Sequence, residues 1–558
     1  MTRYYEGLHM TIEDRADWNL AHVLRLRAQT HADKVFLDFP AFSTTYTFSE
    51  MLEISERIAR GLLARGHEPG DRIVMMMWNR PEYIIGWFGS CLAGMAEVPI
   101  NTAYRGSFLE HQVGTVAPSG VVVSADLAPH FLEVGDACQT VRSFYVVGDD
   151  AAEVEAAIAT LRDGGYVAEP FDVLLAESES VDLPALLARD LASVFFTSGT
   201  TGLSKGVMMS HAQMYFFAEE GLNLVRLTEH DTYMAVGPLF HGNSQFLAGY
   251  PALIAGARFV LQPRFSASNW VPMLRESGAT VTNLVGAMSD FLWKQPQRDD
   301  DADHQLRCIW AVPNPTSILD EWKKRFGDVE FVENFGLTET SMPILTPWGE
   351  PRPPGAAGLL VHEWFDVRLV DPETDEEVPI GEVGELVVRP KVPWTICSGY
   401  FGMPDKTADA LRNCWFHTGD GLRRDEEGWY YFVDRLKDAI RRRGENISSY
   451  EVEQGILSHP AIVEAAAVAV PADAVAGEDE VLVAVVVAEG ETLTPEEFWD
   501  HCDRRLPYFA VPRFVRFVDQ LPKTPSEKIR KVELREQGVT ADTLDRSVFQ
   551  PEKVNRRR

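Results

Sequence analysis

Hydrophobic and polar positions alternate between helical and strand periods along most of the chain. Residues 45–66 have a helical period that opens with a capping box of Thr47 and Glu50 and ends at Gly66. The apolar, strand-like run RIVMMM follows at 72–77, and further helix-then-strand pairs continue after it. This alternation predicts an α/β fold of mainly parallel sheets that are covered by helices.

The pattern changes toward the carboxyl-terminal end. The stretch DRLKDAIRRRGEN, residues 434–446, is charged and typical of turns. A compact unit follows, with a helix whose capping box is Ser448 and Glu451, then two apolar strand-like runs and a further helix. We therefore predict a large amino-terminal domain, residues 1–434, and a small carboxyl-terminal α/β domain, residues 435–558.

Composition and charge narrow the class of protein. The 558 residues are 45% hydrophobic and carry a formal net charge of −31, which argues against a nucleic-acid surface because polyanion binding needs a basic face. The apolar runs are strand-sized and the amino terminus lacks the apolar core of a signal peptide, so we expect no membrane insertion and a cytoplasmic location. Six scattered cysteines favour free thiols in a reducing compartment.

One glycine-rich loop indicates a phosphate site. The stretch TSGTTGLSKG, residues 197–206, follows the β-like run LASVFF, residues 191–196. Backbone amides and hydroxyls at a strand end can surround phosphate oxygens. A Walker A loop needs glycine where this chain has Ser204 and a hydroxyl residue where it has Gly206, so a P-loop NTPase is excluded. A flexible surface turn is the alternative interpretation.

Further motifs give this loop a family context. They are PLFHG (238–242), ENFGLTET (333–340), WFHTGD (415–420), DRLKDAIRRRGENIS (434–448) and LPKTPSEKIRK (521–531). Together with the loop they resemble, in sequence order, the motifs of the adenylate-forming superfamily, which includes acyl-CoA synthetases, peptide-synthetase adenylation domains and beetle luciferases. The chain looks most similar to the carnitine/crotonobetaine-CoA ligase branch. The resemblance implies the superfamily fold, with a carboxyl-terminal domain that is mobile.

The resemblance also implies an activity. A carboxylate is a poor acyl donor, and these enzymes activate it as a mixed anhydride with AMP, which requires two anions to be aligned and neutralised. We therefore expect an AMP-forming acid–CoA ligase that uses ATP and Mg²⁺, releases pyrophosphate and transfers the acyl group to coenzyme A. Its partners would be a small organic acid, ATP and CoA, and the protein would be a monomer or a homodimer.

The resemblance assigns the nucleotide site residue by residue. The residues that would cradle the β- and γ-phosphates are Thr197, Ser198, Gly199, Thr200, Thr201, Gly202 and Lys205. The residues that would contact adenine and ribose are Asn334, Phe335, Gly336, Thr338, Asp420 and Arg435. Glu339 would hold Mg²⁺, a cation that prefers carboxylate and phosphate oxygens. The alternatives are a helix-start acid at Glu339 and a turn aspartate at Asp420.

The resemblance also implies that the carboxyl-terminal domain contributes a residue to each step. Lys528 resembles the lysine that stabilises charge at the α-phosphate, although Glu527 replaces the glycine that usually precedes it. Gly444 resembles the glycine turn along the pantetheine arm of CoA, where a side chain would block the arm, and Arg443 replaces the first of the usual two glycines. Lys437 resembles the hinge between the domains.

The acyl pocket would be lined by residues from several segments of the chain. His241 resembles the histidine found at the carboxylate in CoA ligases, with a buried core histidine as the alternative. Val312, Pro313 and Asn314 would line the pocket together with residues 282–291. Val312 and Pro313 stand where the family usually has glycines, so we expect a narrowed pocket and a small or medium acid.

Two other functions stay open from the residues alone. The chain could be a stand-alone ligase of secondary metabolism, with a non-CoA acceptor or an unusual activated acid, and the Arg443 and Val312 departures support that interpretation. It could also be a nucleotide-binding regulator without catalysis. The presence of both Glu339 and Lys528 counts against the regulator.

Overall fold

The structure is a computed structural model that describes residues 2–176, 181–197, 203–312, 314, 318–435, 439–442, 445–472, 479–522, 529 and 531–554. Several residues predicted for the site lie outside these ranges: Ser198, Gly199, Thr200, Thr201, Gly202, Pro313, Lys437, Gly444 and Lys528. The departures Arg443 and Glu527 also lie outside them, as does the side chain of Arg435.

The strands follow one another in chain order. They are β1 Val35–Phe39, β2 Thr44–Thr47, β3 Arg72–Met76, β4 Ala96–Pro99, β5 Gly120–Ser124, β6 Ser143–Val147, β7 Ala168–Pro170, β8 Leu191–Thr197, β9 Lys205–Ser210, β10 Thr232–Ala235, β11 Arg258–Leu261, β12 Val281–Val285, β13 Cys308–Val312, β14 Glu330–Val332, β15 Asn334–Leu337, β16 Ser341–Leu345, β17 Gly358–Leu360, β18 Phe365–Val370, β19 Val383–Pro390, β20 Phe416–Arg424, β21 Trp429–Arg435, β22 Ala439–Arg442, β23 Glu445–Ser448, β24 Ile462–Pro471, β25 Asp479–Val487, β26 Phe514–Phe517 and β27 Leu544–Asp545.

The helices lie between these strands. They are α1 Leu20–Thr30, α2 Phe48–Ala64, α3 Pro81–Leu92, α4 Gly106–Val116, α5 His130–Glu133, α6 Ala151–Asp163, α7 His211–Leu224, α8 Gly242–Ser244, α9 Tyr250–Ala255, α10 Trp270–Ser277, α11 Gly286–Trp293, α12 Leu319–Phe326, α13 Pro404–Ala410, α14 Ser449–Leu457, α15 Pro495–Arg505, α16 Lys531–Gln537, α17 Arg546–Phe549 and α18 Pro551–Val554. None of the described helices has the length and apolar character that a membrane crossing requires.

Two seven-stranded sheets form the helix-covered part of the amino-terminal domain. Their strand orders are β7-β6-β5-β3-β4-β8-β9 and β14-β13-β12-β10-β11-β1-β2. Neighbouring strands are parallel except at one edge of each sheet. There β9 pairs antiparallel with β8 in the first sheet, and β2 pairs antiparallel with β1 in the second. The predicted capping box of Thr47 and Glu50 opens α2. The alternating periods therefore predicted these mainly parallel sheets correctly.

A third seven-stranded sheet is antiparallel, with the order β15-β16-β17-β21-β20-β19-β18. The sequence pattern gave no indication of this sheet. It has few helices between its strands, so the helix-then-strand alternation that announces the parallel sheets is missing here. Its strands carry the motifs ENFGLTET and WFHTGD.

The carboxyl-terminal unit consists of a β22–β23 hairpin and a four-stranded sheet of order β24-β25-β26-β27, with α14 and α15 packed on it. The hairpin lies in the charged stretch that was expected to form turns. Arg442 of this stretch is buried, donates to the carbonyls of Phe509 and Val511 at 2.9 and 2.8 Å, and pairs with Glu480 at 2.6 Å. These partners are distant in sequence, so local charge pattern could not predict the strand.

The two units pack on each other. The rings of Tyr104 and Phe509 lie 6.2 Å apart, and Phe108 of α4 belongs to the buried cluster of the carboxyl-terminal unit. The face of α4 is therefore a docking surface for the small unit.

Gly61 of α2 provides a test of the packing between α2 and residues 171–175, the segment that follows β7. A Cβ at Gly61 would lie 2.1 Å from the carbonyl oxygen of Leu174, whereas the nearest atom to a Cβ at Gly114 of α4 lies at 3.5 Å. We expect Gly61→Ala to lower the free energy of unfolding by about 1–3 kcal/mol through overpacking. Gly114→Ala is the matched control and should be neutral or stabilising by up to about 1 kcal/mol. Urea unfolding followed by circular dichroism measures both, and equal midpoints for the two variants would contradict this packing.

Candidate active site

Glu339 lies in the turn between β15 and β16 of the antiparallel sheet. Hydrogen bonds to two backbone carbonyls hold this turn. The side-chain amide of Gln213 on α7 donates to the Thr338 carbonyl at 2.8 Å, and the backbone N–H of Cys397 donates to the Glu339 carbonyl at 2.8 Å. Ser341, just after the turn, has a left-handed φ of 56°. The turn is therefore fixed by neighbours from two other segments of the chain.

The Glu339 carboxylate is the meeting point of three predicted or neighbouring groups. Its side chain is buried, with 7% exposure, and its Oε1 accepts hydrogen bonds from the Thr197 hydroxyl at 3.2 Å and the Tyr400 hydroxyl at 3.0 Å. Lys205 Nζ donates to the Tyr400 hydroxyl at 3.2 Å. The structure thus brings together Thr197, Lys205 and Glu339, which the sequence assigned to the phosphates and Mg²⁺.

The electrostatics of this cluster reflect the buried acid. Burial raises the pKa of the Tyr400 hydroxyl well above its usual range, and the Glu339 carboxylate adds to the rise. Burial and the same carboxylate raise the pKa of the Cys397 thiol to about 12. Tyr400 and Cys397 therefore stay protonated near neutral pH, and Tyr400 is a hydrogen-bond donor to Glu339.

The residues predicted for adenine lie on β15. Asn334 Oδ1 accepts from Trp310 Nε1 at 2.9 Å, and the Phe335 ring stacks on Phe432 with ring centroids 6.2 Å apart. A Cβ at Gly336 would lie 2.3 Å from the Ser341 carbonyl oxygen, so this position accepts only glycine. Phe335 is buried and Phe432 is exposed, which makes Phe432 the more accessible aromatic face.

Asp420 and Arg435, both predicted near the ribose, are cross-strand neighbours on β20 and β21. Glu385 holds a bulge of β20 just before Asp420: its carboxylate accepts from the Gly419 amide at 2.9 Å and contacts His417 Nδ1 at 3.0 Å. Burial alone would raise the pKa of Glu385, but the hydrogen bonds from His417 and Gly419 hold it below its usual value. Glu385 is therefore ionised, and it fixes the bulge of β20 that precedes Asp420.

His241 immediately precedes α8 and contacts the carboxyl-terminal unit. Its Nε2 lies 3.2 Å from the carboxylate of Glu445, the first residue of β23. Loss of hydration disfavours the charged imidazole, but the Glu445 carboxylate outweighs it and raises the pKa of His241. His241 therefore has a charged partner, and 40% of its side chain is exposed, which does not favour the alternative of a buried core histidine.

The wall predicted for the acyl pocket is described in part. Val312 is half-buried at the end of β13, and Asn314 is buried. Asn314 hydrogen-bonds Glu333, which also accepts from Arg352 at 2.6 Å. Burial raises the pKa of Glu333 although Arg352 and Asn314 lower it. The wall at Asn314 is therefore backed by a buried ion pair.

Sequence reasoning missed several partners of the predicted residues: Gln213, Glu385, Tyr400, Phe432 and Glu445. Glu445 falls inside a quoted motif, so its acidic character next to Gly444 was a usable signal. The other four have no local pattern that distinguishes them from ordinary core or strand residues. They are recognised only through the side chains they contact.

The site shows three features of an adenylate-forming ligase. A buried acid lies beside the phosphate-loop strand, a second acid lies at a bulge of another sheet, and the small unit docks at His241. The family model described as AMP-binding enzyme matches residues 24–401, and that of the AMP-binding enzyme C-terminal domain matches residues 451–528. The chain belongs to the AMP-binding enzyme family.

Known proteins similar to this chain include CoA ligases. A crotonobetaine/carnitine–CoA ligase of Salmonella paratyphi A is 32% identical over 521 residues, which cover 91% of this chain and 97% of the relative. A double mutant of the o-succinylbenzoate CoA synthetase of Bacillus subtilis, bound to a product analogue, has a TM-score of 0.76 at 24% identity and covers 94% of this chain and 99% of its own. ATP-bound MatB of Rhodopseudomonas palustris has a TM-score of 0.63 at 26% identity, covering 93% and 99%.

These findings confirm the superfamily, the fold class and the reaction class predicted from the motifs. The protein is an AMP-forming acid–CoA ligase, which forms an acyl-adenylate and then transfers the acyl group to CoA. The interpretations with a non-CoA acceptor or without catalysis gain no support from these relatives.

Tyr400 provides the first test of the cluster. Tyr400→Phe removes the hydroxyl between Lys205 and Glu339, so we expect the KM for ATP to rise about tenfold, the usual effect of losing a hydrogen bond to a charged group. Tyr431→Phe is the control, because its hydroxyl donates to Asp425 instead, at 2.8 Å. Steady-state kinetics with varied ATP measures both variants, and an unchanged KM for Tyr400→Phe would show that the hydroxyl does not organise the site.

The pair of His241 and Glu445 predicts a titration. Glu445→Gln should lower the pKa of His241, because the carboxylate is what raises it. Imidazole nitrogen shifts followed by NMR across the pH range measure this, with His241→Asn to assign the signal. Glu373→Gln changes an exposed acid and should leave the titration unchanged. A His241 pKa that is insensitive to Glu445→Gln would mean that the two side chains do not meet in solution.

Proposed function

We propose that this ligase forms the acyl-adenylate at the cluster around Glu339. The observation that supports the proposal is that Thr197 and Tyr400 donate to one buried carboxylate at the end of the phosphate-loop strand, with Lys205 joined to it through the Tyr400 hydroxyl. Lys205 and the loop at 198–202 neutralise the β- and γ-phosphates of ATP. The substrate carboxylate can then approach the α-phosphorus in line.

The donors at this cluster fit Mg²⁺. Within the described ranges no group of three or more His, Cys, Asp or Glu side chains could hold a metal by itself. A site of one carboxylate and one hydroxyl, Glu339 and Thr197, leaves most ligand positions to phosphate oxygens and water, which is the arrangement that Mg²⁺ prefers. When bound, the ion neutralises charge on the phosphates.

The remaining nucleotide contacts follow the motifs. Asp420, with Arg435 beside it, accepts hydrogen bonds from the ribose hydroxyls. Asn334, Phe335 and Gly336 line the adenine, and the Phe335 ring stacks on it. Thr338 belongs to the turn that carries Glu339. Lys528 supplies the positive charge at the α-phosphate during adenylate formation. The role of Asp420 is supported by its position at a bulge of β20 that Glu385 holds in place.

For the transfer to CoA we propose that His241 lies at the acyl carboxyl and that Gly444 leaves room for the pantetheine arm. Support comes from the His241–Glu445 contact, which joins the hairpin that flanks Gly444 to the acyl side of the site. We assign the domain boundary to residues 434 and 435 and the hinge to Lys437.

The activated acid is, in our proposal, small or medium in size, because Val312 and Pro313 narrow the wall that Asn314 continues. The relatives at 32% identity are crotonobetaine/carnitine–CoA ligases, so betaine-like acids belong in any test. All six cysteines are free thiols, which supports a reducing, cytoplasmic location. We propose a monomer or homodimer without nucleic-acid partners.

The experiment that tests this function measures pyrophosphate and AMP release across short-chain, betaine-like, aromatic and polycyclic acids, each with and without CoA. We expect one acid class to give pyrophosphate with ATP alone, and AMP with a thioester detected by mass only when CoA is added. Pyrophosphate release without any effect of CoA would contradict the transfer role of His241 and Gly444.

Glu339 provides the sharpest variant. Glu339→Gln removes the negative charge and keeps the shape, so we expect adenylate formation to slow by about 100-fold or more, as for other preorganised groups at a phosphoryl site. The variant should also need a higher Mg²⁺ concentration to reach half of its maximal rate. Glu363→Gln, at an exposed acid, is the control. Native rates for Glu339→Gln would exclude this carboxylate as the metal ligand.

A further inference from the structure

Ser204 is the residue of the glycine-rich loop that immediately precedes β9, and it is buried. Helix α4 satisfies two of its polar groups. His111 Nε2 donates to the Ser204 carbonyl at 2.7 Å, and Gln112 Nε2 donates to the Ser204 hydroxyl at 3.3 Å. These two contacts leave the backbone N–H of Ser204 to be satisfied from elsewhere.

That N–H bonds to the other unit. It donates to Oε1 of Glu451 at 2.7 Å, and the Glu451 side chain is buried at 4% exposure in the first turn of α14. The capping box predicted for Ser448 and Glu451 stays a prediction, because the Ser448 side chain lies outside the described residues. The Glu451 carboxyl reaches across the interface to Ser204. A buried carboxyl without a donor is costly, so this bond restricts where α14 can dock.

The same docked arrangement contains two further contacts. Tyr104 and Phe108, at the start of α4, pack against the carboxyl-terminal unit, and Glu445 of the hairpin meets His241. The contact at Ser204 therefore belongs to an interface that also fixes the β22–β23 hairpin against the acyl side of the site.

We propose that Ser204 and Glu451 are a positioning pair for the transfer step: their hydrogen bond holds the carboxyl-terminal unit in the arrangement that brings the β22–β23 hairpin to His241. The pair acts through the hairpin and not on the reacting atoms. The proposal rests on the transfer role proposed above for His241 and the hairpin.

The pair also gives docking a pH dependence. Burial raises the pKa of Glu451 to about 7, although the Ser204 amide lowers it. A carboxyl whose pKa is higher when docked takes up a proton on docking, so docking weakens as the pH rises through 7 and levels off above it. His241 acts in the same direction, because its docked contact with Glu445 raises the pKa of His241.

The other titratable groups that face this pair do not reverse the sign. Burial lowers the pKa of His111, which is therefore neutral at pH 7, and its hydrogen bond to Ser204 only partly opposes this. Burial raises the pKa of Tyr104 well above its usual range, and Glu451 and Glu445 add to the rise, so the hydroxyl stays protonated. Both α4 and the preceding loop thus present neutral groups to Glu451.

The docking claim can be tested on the full-length protein without any ligand. Cys414 is exposed while the other cysteines are buried, and Val463 of the carboxyl-terminal unit is 54% exposed. Spin labels on Cys414 and on a Val463→Cys variant report the distance between the units by pulsed EPR. We expect one dominant distance, with its population highest at the lower end of a range from about pH 6 to pH 8.

Variants of the pair should change that population. Glu451→Ala should lower the ratio of docked to undocked molecules about fivefold, the value of one hydrogen bond. Glu451→Gln keeps an acceptor oxygen and should retain docking, with a weaker pH dependence. Ser204→Ala keeps the N–H but removes the hydroxyl, which also hydrogen-bonds Glu451, so it should lower docking less than Ser204→Pro, which removes the N–H and should resemble Glu451→Ala. Identical distance distributions for Glu451→Ala and Glu451→Gln would overturn the proposal.

A kinetic test separates positioning from general damage. Glu451→Ala should slow thioester formation from preformed acyl-adenylate by up to about fivefold, in line with the loss of docked molecules, with adenylate formation in the absence of CoA changed less than about twofold. Glu451→Gln should restore the transfer rate. Equal slowing of both steps would overturn the proposal. If the native protein adenylates no acid, the proposed function fails, while the distance measurement still decides whether Ser204 and Glu451 hold the units together.

Discussion

The buried carboxylate of Glu339 is the constraint on which the nucleotide end of the molecule depends. A carboxylate that leaves water needs donors, and here they come from the end of β8 through Thr197 and from the segment after β19 through Tyr400. The turn that carries Glu339 is held in addition by Gln213 of α7 and the Cys397 amide. One acid therefore joins a parallel sheet, an antiparallel sheet and a helix at the loop where phosphates would bind.

The same requirement governs the contact between the two units. Glu445 and Glu451 of the carboxyl-terminal unit both lie in the interface, and each meets a group of the amino-terminal domain, His241 and Ser204 respectively. The apolar contact of Tyr104 with Phe509 adds burial without specifying orientation. The two acids supply the orientation, because each must find its own donor. Single hydrogen bonds are also weak enough to be exchanged when a domain rotates.

The anchors of the site explain why motif residues and their supports differ so much in sequence. Glu385 holds the bulge of β20 before Asp420. Arg352 and Asn314 hydrogen-bond Glu333 behind the wall of the acyl pocket. These supports touch the residues that would contact substrate, yet they lie outside the motifs or at their edges. Their chemistry is ordinary until the strands on which they sit are brought side by side.

The sequence by itself determined the helix-covered parallel sheets, the capping box of Thr47 and Glu50, the small carboxyl-terminal unit and the motif residues, since each depends on neighbours within about ten residues along the chain. Only the tertiary structure decided the antiparallel third sheet, the hairpin in the charged stretch and the partners of each acid. Thr197 and Glu339 are 142 residues apart, and Ser204 and Glu451 are 247 apart. Pairings over such separations exist only after the sheets have packed, so no local period can encode them.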